Sequence, residues 1–250
     1  MRILVLVLAA RAWPYPILIR TIKRTWASVD ADDVSTVFYY GGRRLQSRRQ
    51  DLYLPVDDTL PAGSKTIACF AHVLGSHDFD LVFRTNCSSY VDLPNLAEFV
   101  RRHARAERFY CGHIGMSGEL PFASGAGYFL SRDLVQLVVD RQEEWDHGLL
   151  DDVALAALLR REGVGPTPAP RVEYRSSRDV GTVDVSQFLF RCRTESPWRM
   201  GDVRILIKVH QAFCGTRGRS YRSVVLDVTD RLGTLYSAWL RMRQIRFRDR

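Results

Sequence analysis

The chain has 250 residues, 46% of them hydrophobic and 26% charged, ordinary globular proportions that exclude a disordered or fibrous polymer. No apolar run reaches the roughly 18–20 residues of a membrane span, and five widely spaced cysteines without a CxxC pair exclude a zinc ribbon and support no disulfide framework. The net charge of +8 is uneven: residues 1–170 carry 19 basic against 20 acidic side chains, and residues 171–250 carry 17 against 8.

Ile3–Ala10 is a continuous apolar run, the pattern of a strand buried on both faces. It has no basic leader, so it reads as a first strand and not as a signal peptide. Pro14 and Pro16 break the chain, and Ile17–Ser28 sets Ile17, Leu18, Ile22 and Trp26 at helical spacing. Val34–Tyr40 is a second strand stopped by Gly41-Gly42, and Arg43–Arg49 is a basic loop. A helix over Lys65–Leu74 precedes a third strand, Asp80–Thr85, and Pro94–His103 begins another helix. Gly125–Leu130 reads as a strand, Asp133–Val139 and Asp151–Arg161 as helices. Alternating strands and helices predict an α/β fold built on a mainly parallel, doubly wound sheet. Gly163–Pro170 is the clearest linker and coincides with the charge switch, dividing a core over 1–165 from a basic C-terminal lobe over 166–250. In that lobe Phe188–Cys192 and Val203–Val209 are strand or helix, and Leu235–Arg246 is a basic amphipathic helix.

The P-loop, GxGxxG, HExxH and GxSxG signatures are absent. What remains are clusters at strand ends, where open α/β sheets bind ligands. Ile22-Lys23-Arg24-Thr25-Trp26 follows the first strand. Phe83-Arg84-Thr85-Asn86-Cys87-Ser88-Ser89-Tyr90-Val91-Asp92-Leu93-Pro94-Asn95-Leu96 closes the third, Ser124-Gly125-Ala126-Gly127-Tyr128-Phe129-Leu130-Ser131-Arg132-Asp133 comes next, and Leu150-Asp151-Asp152-Val153 ends the series. In this order the four segments resemble the nucleotide-sugar-dependent β-1,3-glycosyltransferase and Fringe family over about residues 1–165. The resemblance implies the Rossmann-like glycosyltransferase fold called GT-A.

One departure matters. The three aspartates with which that family holds Mn²⁺ against the donor diphosphate align with Asn86-Cys87-Ser88, and neutral oxygens bind a hard dication poorly. Either Mn²⁺ or Mg²⁺ is held weakly, by Ser88 with help from His210, or positive side chains replace the metal. Arg11, Lys23, Lys65, Arg84 and Lys208, with Asn86 and Ser88, are the candidates for the donor side. Transfer with inversion needs a carboxylate within reach of the acceptor hydroxyl. The family pattern gives that role to Asp152, with Asp151 as its neighbour and the candidate helix cap. Gly125 and Gly127 admit close approach of a sugar, and Tyr128, Trp145, Arg191 and Arg193 complete the expected acceptor side. His72, His77, His103, His113 and His147 show no metal-ligand spacing.

The expectation is therefore an inverting glycosyltransferase using a UDP-sugar-like donor such as UDP-glucose, set by its unpaired cysteines in a reducing cytoplasm. The excess of +9 over residues 171–250 points to a polyanionic partner. A hydroxymethylated pyrimidine in phage-type DNA is one acceptor, flipped out to reach Asp152; a bacterial glycan or lipid-linked precursor is another. Arg241, Arg243, Arg246, Arg248 and Arg250 read as a solvated helix end, and with Tyr221, Trp239 and Phe247 interleaved among them the pattern also suits nucleic acid. The competing class is a binder of nucleic acid or nucleotide sugars without catalysis, which would show no donor hydrolysis.

Overall fold

A computed structural model describes residues 1–42, 50–58, 62–196 and 198–217. The expected loop Arg43–Arg49, the expected helix Leu235–Arg246 and the aromatic and arginine residues from Tyr221 to Arg250 lie outside the described residues.

The strands are β1 (Ile3–Leu8), β2 (Val34–Gly41), β3 (Asp51–Leu54), β4 (Leu81–Asn86), β5 (Ser89–Val91), β6 (Tyr110–Ser117), β7 (Leu120–Ser131), β8 (Thr167–Pro168), β9 (Val172–Tyr174) and β10 (Leu189–Cys192). The helices are α1 (Tyr15–Arg24), α2 (Ala62–Ser76), α3 (Leu93–His103), α4 (Arg132–Asp140), α5 (Asp151–Arg161) and α6 (Met200–Arg217). Among the described residues seven strands form one sheet in the order β3-β2-β1-β4-β7-β6-β8. It is mostly parallel; β7 alone runs against its neighbours, pairing antiparallel with both β4 and β6. The result is a mixed α/β fold.

The apolar run of β1 becomes intelligible here. Ile3, Val5 and Val7 enter one buried cluster and Leu4 and Leu6 the other, so each face of the central strand seals a different core. Each such side chain contributes about 1.5–3 kcal/mol on burial. On one face lie α2, α4 and α5; on the other, α1, α3, α6 and β10. Trp26, fully buried, donates its indole N–H to the Ser89 carbonyl at 3.0 Å, tying the turn after α1 to β5. Asp92 caps α3 by accepting from the Asn95 amide at 3.0 Å, and Pro94 sits in the first turn where its missing N–H costs nothing.

Gly163–Pro170 is not a linker. Thr167 and Pro168 pair with Cys111 and Gly112 as the edge strand β8, and the Ala169 amide donates to the Gly112 carbonyl at 2.9 Å. Prolines are compatible with an edge, where a missing donor breaks no ladder. Further on, β10 pairs antiparallel with β5, and α6 packs its Val203, Ile205, Leu206, Val209 and Phe213 into the same core as β1.

The chain leaves β1 toward β2 and β3 on one side and returns to β4 on the other. The order therefore reverses between β1 and β4, the topological switch point at whose carboxyl ends open α/β sheets bind ligands.

Candidate functional site

A cavity of about 680 Å³ opens at that switch point. Leu8 to Ala12 after β1 and Asn86, Cys87 and Ser88 at the end of β4 form its floor; Tyr15, Lys65 and Arg199 line its sides. Lys65 reaches in from α2, and its ammonium donates to the carbonyls of Ala9 and Asp58, both at 3.1 Å, and to Asp58 Oδ1 at 3.3 Å. Burial works to raise the Asp58 carboxyl, but the amides of Arg11 and Gly41 and the Lys65 ammonium outweigh it and hold it below the usual carboxylate range.

Arg199 comes from just ahead of α6. Its Nε donates to Asp202 Oδ2 and its Nη2 to Ser88 Oγ, both at 2.5 Å. Asp202 is wholly buried, and its other oxygen accepts from the Thr194 amide and hydroxyl. Arg193, exposed, stands beside Arg199 on the same cavity.

Beyond Asn86 lies a second polar group. Arg84 points from β4 into the layer between sheet and helices, buried to 1% exposure. Its Nε donates to Tyr39 Oη at 3.2 Å, its Nη1 to the Gly125 carbonyl at 2.9 Å, and its Nη2 to Asp151. Burial disfavours this charge, but the Asp151 carboxylate together with the Tyr39 and Tyr128 hydroxyls outweighs it, leaving the guanidinium raised well above its ordinary value. Asp152, the next residue, accepts from the Gly125 amide at 2.7 Å with one oxygen and from the Val153 amide at 3.1 Å with the other. Burial lifts the Asp152 carboxyl above the usual range; the Gly125 hydrogen bond opposes this and the neighbouring Asp151 charge adds to it. Both acids occupy the first turn of α5, whose N-terminal partial charge favours carboxylates. Neither is the cap: that position is Leu150.

Asn86 joins the two halves. It lines the cavity and donates its Nδ2 to the Gly125 carbonyl at 2.8 Å, the oxygen that Arg84 also uses. A Cβ at Gly125 would lie 2.8 Å from Arg84 Nη1 and 3.2 Å from Asp152 Oδ2, so a side chain there would force Arg84 to shift and would crowd Asp152.

Arg11, Lys65, Asn86, Ser88 and Arg193 thus meet at one cavity, with Asp151, Asp152, Arg84 and Gly125 just behind Asn86. Other expected site residues lie elsewhere. Arg84 does not face the cavity as a donor ligand; it lies beneath Asp151 and Gly125. Lys23 pairs with Asp51 at 2.5 Å over the Phe38 ring, beside a neighbouring groove. Exposed Lys208 donates to the Ser177 carbonyl at 2.6 Å. His210 is buried, its Nδ1 3.0 Å from Tyr90 Oη inside the core of α6 and β5. Gly127 is a packing glycine: a Cβ would sit 2.6 Å from the Phe83 ring and 2.9 Å from Leu189. Tyr128 is fully buried under the Arg84 guanidinium, and Trp145 is a core residue against Gly63, so neither offers a face to a sugar. Arg191, half-buried in β10, lies opposite Ser89 and Glu173.

Sequence reasoning missed Asp58 and the position of Arg199. Arg199 carries one usable signal, an aspartate three residues on at the start of a helix, but that pattern is common on any exposed first turn.

The segment Asn86-Cys87-Ser88 does not fit a divalent cation. Asn86 Oδ1 already accepts from the Ser88 amide at 2.9 Å. The Cys87 thiol, pushed up to about 12 by burial, donates to the Leu8 carbonyl. Ser88 Oγ faces a guanidinium, which repels a cation. Among the described residues no group of three or more His, Cys, Asp or Glu side chains is placed to hold a metal ion. Hard dications require several carboxylate or carbonyl oxygens at once.

No protein-family profile matches the chain. Over 123 residues it is 28% identical to Beta-1,3-galactosyltransferase 4 of Rattus norvegicus, an alignment covering 48% of this chain and 32% of that protein. The chain thus spans about a third of the length of the curated relative it matches. Among the described residues no helix is long and apolar enough to cross a membrane.

Proposed function

We propose that the chain is an inverting glycosyltransferase that takes a nucleotide-sugar donor in the switch-point cavity and uses Asp152 as general base. The observation that carries this reading is the pinned, proton-avid Asp152 one hydrogen-bonded residue behind the cavity. A base of raised proton affinity is what removal of a hydroxyl proton near neutral pH requires. The similarity to a β-1,3-galactosyltransferase supports the same class of chemistry. In the step proposed, the acceptor hydroxyl gives its proton to Asp152 and its oxygen bonds to the anomeric carbon from the side opposite the diphosphate. The bond from that carbon to the diphosphate oxygen breaks, and the nucleoside diphosphate leaves with the electron pair. Arg84 and Gly125 hold the two carboxylates in place; Asp151, paired with Arg84, is a positioning residue. Five free cysteines, four of them buried, accord with a reducing compartment.

A donor screen by mass spectrometry tests the reading: nucleotide sugars are offered with water, simple sugars or hydroxymethylcytosine DNA as acceptor. One donor consumed with release of its nucleoside diphosphate supports it; binding of a nucleotide sugar without any turnover overturns it in favour of a binder.

For the acceptor we infer a polyanion, with hydroxymethylated DNA the first to test. The support is the sequence charge over 171–250; Arg241, Arg243 and Arg246 lie outside the described residues. DNA affinity should fall with salt at a log–log slope of about −0.9 per phosphate neutralised. Replacing those three arginines by alanine should flatten the slope while donor hydrolysis stays unchanged. A slope already flat in the unaltered chain returns the acceptor to a glycan.

A further inference from the structure

We infer that the donor diphosphate is held by guanidinium groups, Arg199 foremost, and not by a divalent cation. This rests on the nucleotide-sugar reading of the cavity and deepens it.

Three independent features meet at Arg199. First, it lines the one end of the sheet where topology leaves a crevice, together with Arg11, Lys65 and Arg193. Second, its charge is built in. Asp202, itself wholly buried, and Ser88 fix the guanidinium through two of its five N–H groups, and a fixed donor array costs little reorganisation when an anion arrives. Third, its backbone is left-handed, with φ of 57°, a conformation a residue with a Cβ adopts at a cost and that persists where surroundings impose it. A simple helix start has no need of it.

The neighbour strengthens the case. Arg193 and Arg199 line the same cavity, and partial desolvation and then the charge of Arg199 lower the Arg193 guanidinium from its ordinary value. Asp58 serves both Lys65 and Arg11, and Asp202 serves Arg199; the Arg193 charge, set beside Arg199, is one that an incoming anion relieves. The planar fork of arginine matches the oxygens of a diphosphate, and two forks on one wall match its two phosphates. The Ser88 hydroxyl, where a metal-binding carboxylate is expected from the resemblance, instead steers a cation into the cavity. The positive charge that a metal brings to a leaving diphosphate is here part of the chain.

The test is calorimetric titration of the full chain with inorganic pyrophosphate and a panel of nucleoside 5′-diphosphates, in excess EDTA and again with Mn²⁺. The expected result is binding of at least one nucleoside diphosphate in EDTA, changed less than about twofold by Mn²⁺ and weakened at least about tenfold by Arg199→Lys, which keeps a charge for Asp202 but loses the fork. Arg193→Gln, a change at an exposed position, should weaken it several-fold; it serves as the deciding variant should Arg199→Lys not fold. Binding that appears only with Mn²⁺, no binding of any diphosphate in EDTA, or unchanged affinity in both variants overturns the inference. Donor turnover with Mn²⁺ in the first of those cases would leave the glycosyltransferase reading standing, whereas metal-free binding without turnover would remove that reading and keep this one.

Discussion

Two arginine–aspartate pairs flank the end of the sheet and face opposite ways. In one, Arg84 is the inner partner at 1% side-chain exposure and Asp151 the outer at 17%. In the other, Asp202 is the inner partner at 0% and Arg199 the outer at 6%. A buried pair returns little net stability, because desolvating two charges offsets their attraction. What each pair supplies is placement: the first presents carboxylates at the tip of α5, the second a guanidinium at the cavity. One kind of interaction, inverted, sets carboxylates on one side of Asn86 and a guanidinium on the other, matching the proposed base and the proposed anion receptor.

The largest expected effect separates these two sides. Asp152→Asn should reduce transfer by about 10²–10⁴ while nucleoside diphosphate affinity stays within about twofold, since the base acts on the acceptor. Near-full activity in steady-state assays would break the division and return the role of base to another residue. The pH–rate profile sharpens it. Asp152 is held above the ordinary aspartate value, so activity should be lost as pH falls through a midpoint higher than that value. For stability the sign reverses: a raised folded-state pKa means protonation favours the fold, so this group gains stability on acidification. Asp58, held low, contributes stability above its unfolded pKa that disappears as pH falls through its folded one. Acid inactivation should therefore precede unfolding, as circular dichroism against pH would show.

Next in size is the inner arginine. Arg84→Met leaves Asp151 without its cation and removes one of two hydrogen bonds at both the Gly125 carbonyl and the Tyr39 hydroxyl, so a loss of about 3–5 kcal/mol in urea unfolding is expected. A change below about 1 kcal/mol would mean that the pair is dispensable and that α5 holds its own first turn.

The glycines discriminate more finely. Gly125→Ala places a Cβ between Arg84 and Asp152, and Gly127→Ala places one against Phe83 and Leu189. Both should cost about 1–3 kcal/mol of stability through overpacking. Only Gly125→Ala should also lower the rate per folded molecule, because it displaces the base; equal rates in the two variants would show that the position of Asp152 is not limiting.

The two sides were unequally legible. Asp151 and Asp152 are adjacent, open a helix whose limits periodicity already marks, and belong to a motif that the resemblance supplies. The cavity's cations come from four separated places: after β1, within α2, after β10 and before α6. The pairing of β10 with β5 and the packing of α6 on α1 and β5 bring the last two to the first, and no local pattern encodes that. The same lack hid β5 and β9, three residues each, and made edge strand β8 look like a linker, since its prolines carry the composition of one. Tyr128 and Trp145 misled for another reason: an aromatic beside glycines reads equally as a sugar platform or as core, and here it is core.

The smallest effects concern the lysines that charge alone nominates. Lys23 is spent on Asp51, with its ammonium 4.8 Å from the Phe38 ring centre, and belongs to the groove beside the cavity. Lys208, exposed on α6, binds a carbonyl on the chain after β9. Neither lysine lines the cavity and both ammonium groups are already engaged, Lys23 by Asp51 and Lys208 by a carbonyl. Lys23→Ala and Lys208→Ala should each leave nucleoside diphosphate affinity within about twofold, and Lys208→Ala should change stability by no more than about 0.5 kcal/mol. The measurement is the titration used for Arg199→Lys, under the same chelated conditions. If either lysine variant weakened binding as much as Arg199→Lys, the receptor would be a diffuse positive field and not a set of fixed forks, and the inverted pairing of Arg199 with Asp202 would lose its meaning.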